Sequence, residues 1–233
     1  MLSYKHIYIY IYVYHNFVYQ QQTVSFINEN QPLKPRVVAS PYENDKDSLQ
    51  LLWSSKDSST PTLKWGIQSG VYIHEVPAST STIDQSEMCG APANSTGWRD
   101  LGAIHTATFS DIRLLDTSYD YAYYIFGDEN TQDWSNEYRL RIPQRPGGVQ
   151  NNDSPTTVIL YDDLGRGSLD QSYTWNEYGR PAIYTSMAVA AELDNGKIDA
   201  IYHGGDISYA TGYMAVWDFY LDMMVIYATF VWL

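Results

Sequence analysis

Two aspartates and a tyrosine stand where metal chemistry could be done. The stretch TTVILYDDLG ends an apolar run on Asp162 and Asp163, and IDAIYHGGDISY ends a second on Asp206, with Tyr209 three residues further on. Carboxylates brought together at neighbouring strand ends repel one another unless a cation or a shared proton lies between them. On residue type alone a second reading stays open. Aspartates also cap turns, and Tyr209 is one of 22 tyrosines in the chain.

The elements that must position these residues are legible in outline. The run TTVILYDD reads as a buried strand, PAIYTSMAVAAELDNG as a helix with Pro181 near its first turn and Gly196 as its stop, and IDAIYHGGD as a second buried strand. A further helix is expected over WDFYLDMMVIYATF. Strand, helix, strand, helix implies parallel strands joined by crossovers. Ligands gather at the carboxyl ends of such strands, where Asp163 and Asp206 fall.

The earlier part of the chain has a different rhythm. Short apolar segments run over residues 49–54, 62–67, 71–76, 104–112, 118–126 and 136–142, separated by turn clusters such as KDSSTP and GDENTQD. That spacing predicts a β-sandwich of immunoglobulin or fibronectin III kind over residues 36–143. The stretch PQRPGGVQNNDSP marks a linker at 144–155. A partial α/β domain is then expected over 156–233.

Composition narrows the function. Asp plus Glu number 27 against 14 Lys plus Arg, a formal charge of −13 that repels a nucleic-acid backbone. Cys89 is the single cysteine, so an internal disulfide and a cysteine zinc site are excluded. The sequons at Asn94 and Asn152 suit a secreted glycoprotein. Residues 1–35 open on HIYIYIYVY, which fits neither a signal peptide nor a membrane span. Strict Ile/Tyr alternation is what an AT dinucleotide repeat encodes, and this leader is expected not to be native coding sequence.

With these residues in view, the chain resembles the purple acid phosphatases, within the calcineurin-like metallophosphoesterases. D-L-G at 163–165 and G-D-I-S-Y-A-T-G-Y at 205–213, followed by Trp217-Asp218, look like the first two of that family's five metal-ligand motifs. Upstream, MCGAPA at 88–93, GWRDLG at 97–102 and IHTATF at 104–109 resemble the amino-terminal domain of its long plant and oomycete members, so the likeness covers residues 36–222. The resemblance implies an αββα catalytic sandwich behind the β-sandwich. It makes Asp163 a ligand of Fe(3+), Asp206 a bridge to a divalent Zn, Fe or Mn ion, and Tyr209 the ferric phenolate. A phenol, ordinarily titrating near 10, is deprotonated at acidic pH beside such a cation. Hydrolysis of small phosphate monoesters is then the implied reaction, in a secreted or vacuolar protein, homodimeric as in relatives.

The departures carry equal weight. Asp162 stands where relatives have glycine, and strand alternation should turn it away from the site. The motifs G-N-H-E/D, V-x-x-H and G-H-x-H do not occur in the 233 residues, and the likeness stops after Asp222. A truncated or misassembled member is expected, holding metal weakly. The alternatives are a non-catalytic chain acting as a β-sandwich binding module, a nucleotide pyrophosphatase/phosphodiesterase-like specificity in the parent, and an unrelated adhesion module. His203 is expected to be a hydrogen-bonded core histidine and His105 a structural one. Trp217 and Asp218 are read as packing and helix-start residues, and Arg99 and Asp100 as a structural pair.

Overall fold

The computed structural model describes residues 32–40, 47–56, 59–115, 119–142, 157–165, 179–195, 198–227 and 231–232. The expected linker at 144–155, Asn152 and the leader up to residue 31 lie outside them.

Alternation of apolar and polar side chains builds the first part. Strands β1 (Leu33–Ala39), β2 (Leu49–Ser55), β5 (Ser79–Ser81) and β6 (Ala103–Phe109) form antiparallel neighbours in the order β5-β6-β2-β1. Strands β3 (Pro61–Gly66), β4 (His74–Pro77), β7 (Tyr121–Asp128) and β8 (Tyr138–Arg141) form a second antiparallel sheet, β4-β3-β7-β8. Every second residue of β2 and β6 is buried, as a half-solvated strand requires.

The two sheets share one core. Leu49, Leu51, Trp53 and Phe109 from the first meet Leu63, Trp65, Tyr124, Phe126 and Leu140 from the second. Phe109 and Tyr124 meet edge-on with centroids 5.3 Å apart, a geometry worth about 0.5–1.5 kcal/mol beyond the area buried. Antiparallel strands therefore cover most of the expected apolar segments, although β4 is shorter than its apolar run and β5 carries no apolar signal.

The second part is parallel. Strands β9 (Val158–Tyr161) and β10 (Ala200–His203) pair in register, with helix α1 (Gly179–Asp194) between them in the chain. Ala182, Ser186, Val189 and Leu193 are buried at helical spacing on α1. Ala182, Val189 and Leu193 share a core with Ile201, Leu164, Tyr220 and Met224. Helix α2 (Met214–Met223) ends in a 3-10 turn, and strand β11 (Val231–Trp232) follows.

Strand β11 runs parallel to both β10 and β1, so one seven-stranded sheet runs through both parts, in the order β5-β6-β2-β1-β11-β10-β9. A second tie is Arg141 at the end of β8. Its Nη1 donates to the Ile198 carbonyl at 3.1 Å, and its guanidinium lies 3.5 Å from Asp199.

Three sequence expectations are corrected. Residues 33–35 belong to β1, not to the leader; a register irregularity between Leu33 and Arg36 accommodates Pro35, which has no N–H for the ladder. Helix α2 starts at Met214, so Asp218 lies a full turn inside it and pairs with Lys34 instead of starting the helix. The helix also stops at Met223, well short of the expected end.

Candidate metal centre

The pairing of β9 with β10 decides where the aspartates emerge. His203 lies opposite Tyr161 in the final register position. The backbones stay joined beyond it: Gly204 N donates to Tyr161 O at 2.8 Å, and Asp163 N to Gly205 O at 3.1 Å. Asp163 and Asp206 are thereby delivered side by side at the carboxyl edge of the sheet, both exposed.

The backbone there is strained. Asp163, Asp206, Tyr209 and Thr211 have φ of 53°, 46°, 50° and 47°, in the left-handed region that costs a non-glycine residue about 1–2 kcal/mol. Such strain collects at functional sites, where the surrounding structure holds it in place.

The side chains complete the convergence. Tyr209 Oη donates to Asp163 Oδ1 at 2.5 Å. This bond, and then one from Asp206, hold the Asp163 carboxyl below the usual carboxylate range. The hydrogen bond to Asp163 pushes Asp206 up, and the charge of Asp162 adds to the effect. Asp163 likewise raises the Tyr209 phenol well above its ordinary value.

Three oxygen donors of this kind suit a hard, highly charged cation. A ferric ion fits the donor set, since it takes carboxylate oxygen and can ionise the phenol. The second metal is another matter. Among the described residues no group of three or more His, Cys, Asp or Glu side chains converges, so neutral nitrogen ligands are not assembled.

The neighbouring residues keep structural roles. His203 Nδ1 lies 2.9 Å from Tyr220 Oη, its ring packs 4.6 Å from Tyr161, and burial pushes its pKa down. His105 is fully buried between Ser55 Oγ at 2.8 Å and Thr80 Oγ1 at 2.9 Å. Asp162 lies past the strand end beside Gly204. Asp100 accepts the Gly102 N–H at 2.8 Å, and Trp217 is half-exposed against Tyr220. Asn94 is exposed on the loop before Trp98.

Comparison with known proteins bears on this geometry. The chain is 33% identical over 198 residues to "Probable inactive purple acid phosphatase 1" of Arabidopsis thaliana, covering 84% of this chain and 30% of that protein. Its fold superposes on the purple acid phosphatase PPD1 of yellow lupin seeds with a TM-score of 0.72 and 31% identity, over 90% of this chain and 36% of that one. The chain belongs to the purple acid phosphatase family.

A shorter match, 34% identity over 85 residues, joins 36% of this purple acid phosphatase chain to 22% of a barley nucleotide pyrophosphatase/phosphodiesterase. No family model matches the chain. It spans about a third of the length of the relatives it matches most fully. Among the described residues, no helix of this family member is long and apolar enough to cross a membrane.

The sequence did not disclose that Gly97, whose carbonyl accepts from Met214 N at 2.9 Å, lies against Gly212. Glycine next to Trp98 and the Thr211-Gly212-Tyr213 turn were visible as motif residues, but nothing in their spacing said that they touch.

Proposed function

We propose that this chain carries the ferric half of an acid phosphatase centre. Asp163 and Tyr209 would ligate Fe(3+), and Asp206 would bridge to a divalent Zn, Fe or Mn ion. The observation that supports the reading is the convergence of these three side chains at the carboxyl ends of two paired parallel strands. Bound there, the metal would supply Lewis acidity toward a phosphoryl oxygen of a small phosphate monoester. The chain's own residues hold the oxygen donors in place, and Tyr209 gives up its phenolic proton as the cation enters.

The reading extends to the rest of the molecule. The antiparallel strands of residues 36–143 constitute a fibronectin III-like domain and residues 156–233 part of an αββα catalytic domain, across the linker at 144–155. Exposed Asn94 suits N-glycosylation in a secreted or vacuolar glycoprotein, as does Asn152, and homodimerisation follows the family resemblance.

A second reading is favoured by a specific observation. The Arabidopsis relative is itself named inactive. On that reading the chain binds metal weakly and turns over no substrate, leaving a sandwich-domain binding role. The purified chain, given ferric ion as a weak chelate together with Zn(2+), should hydrolyse p-nitrophenyl phosphate at pH 5 no faster than its Asp206→Asn variant. Turnover that depends on Asp206 would overturn this second reading.

A further inference from the structure

The loop that carries Asp206 and Tyr209 is held at two ends, and only one of them belongs to the sheet that presents it. Its entry is fixed by Gly204 N on Tyr161 O. Its exit is fixed from the sandwich: Met214 N, the first donor of α2, gives its hydrogen bond to Gly97 O at 2.9 Å. First-turn N–H groups of a helix have no partner inside it, so Gly97 acts as a cap supplied from more than a hundred residues away.

The contact is closed to side chains. A Cβ placed on buried Gly97 would fall 2.1 Å from Gly212 O and 3.0 Å from Pro92 O, both backbone atoms that no rotamer change can move. From the other side, a Cβ on Gly212, at φ +89°, would fall 2.9 Å from Pro92 Cγ. The sandwich loop is itself braced, since Pro92 O accepts from Ser95 N at 3.0 Å and Gly97 N at 2.8 Å. It is a fixed wall against which the 211–213 turn rests.

We infer that Gly97 is a positioning residue for the metal-ligand loop, and that the sandwich sets the geometry of Asp206 and Tyr209. The inference rests on the ferric reading of Tyr209. Any side chain at 97 pushes the 211–213 turn outward, and the loop's strained residues relax, because the left-handed conformations at 206, 209 and 211 persist only while both ends are held.

The test uses the full chain as wild type, Gly97→Ala, Tyr209→Phe and Pro92→Ala, each checked for a cooperative unfolding transition. Two signals are read: hydrogen exchange of the peptide over 206–214, and the visible phenolate-to-iron band with ferric ion supplied as a weak chelate. Gly97→Ala should speed exchange in 206–214 by about tenfold or more while β9 and β10 keep their protection, and should reduce the band to the Tyr209→Phe level. A band unchanged in Gly97→Ala overturns the inference and leaves the ferric site standing. A wild type with no Tyr209-dependent band overturns the ferric site and the inference with it; fast exchange in Gly97→Ala would then describe a loop brace alone. Should Gly97→Ala fail to fold, Pro92→Ala removes the ring that faces Gly212 while its carbonyl stays, and a 206–214 peptide as protected as in wild type, with its band intact, overturns the claim that this loop sets the geometry of Asp206 and Tyr209.

Discussion

Tyr209 donates its phenolic hydrogen to Asp163 across 46 residues of sequence, at 2.5 Å, and the bond joins the ends of two strands whose backbones already hydrogen-bond past their last paired residue. The oxygens proposed as ferric ligands are thus joined by a hydrogen bond.

Replacing Tyr209 by Phe separates the two roles. The phenol is lost as a ligand and as a donor, and the Asp163 carboxyl rises toward its ordinary value because its leading stabilising bond is gone. Ferric ion added to Tyr209→Phe should give no visible charge-transfer band. The thermal midpoint should stay within a few degrees of wild type, since the bond lies at an exposed position. Loss of the cooperative transition in calorimetry would show that Tyr209 supports the fold and not the site.

Lys34 ties β1 to α2 through Asp218, and Asp222 lies 3.7 Å from the same ammonium. The Lys34 and Asp218 side chains are each only 10% exposed, so Lys34→Met leaves a buried carboxylate without its cation. A loss of about 3–5 kcal/mol is expected, measured by urea unfolding. Lys34→Met combined with Asp218→Leu should recover most of it, because two apolar groups of similar size leave no unpaired charge. A double variant as unstable as the single one would mean that Lys34 acts through its backbone at φ 55° instead.

How much of this was legible beforehand follows from where the forces act. The alternation in LQLLWSS and AIHTATF and the apolar runs before Asp163 and Asp206 are local, and they identified strands and ligand candidates directly. The start of α2 was not local. Its first N–H is capped by Gly97 from the loop before β6, so the helix begins before the Trp217-Asp218 pair that seemed to open it. Strand β11 is two residues long and owes its place to neighbours on both sides, β1 and β10, which sequence periodicity cannot register. The Lys34–Asp218 pair spans 184 residues and left no pattern in either segment.

The outer strand β9 leaves an apolar face in water. Leu160 is 64% exposed and lies opposite exposed Tyr202 in register, with exposed Val158 on the same face. An apolar strand at a sheet edge is a template for association. Leu160→Lys should raise the concentration at which light scattering appears, with an unchanged far-ultraviolet spectrum. Scattering that persists at the wild-type concentration would place the association elsewhere.

His105 on β6 gives the fold a pH dependence whose sign can be worked out. Burial pushes its pKa below the ordinary 6.5, with the Asp128 charge opposing in part. The folded state therefore binds the proton less readily than the unfolded chain, and between the two pKa values the unfolded state carries more protons. Stability from this group is fully present above pH 6.5 and falls as the pH drops through that value toward the folded pKa, by at most about 1.4 kcal/mol per pH unit. The cause is geometric: Ser55 and Thr80 serve both ring nitrogens of a neutral imidazole, and the ring lies against Trp53 with centroids 5.3 Å apart. His105→Asn should lower stability at pH 7.5 and lose less than wild type on going to pH 5, read from urea midpoints at the two values. Parallel losses in the two proteins would show that the acid sensitivity resides in carboxylates elsewhere, and that His105 folds with its proton as easily as without it.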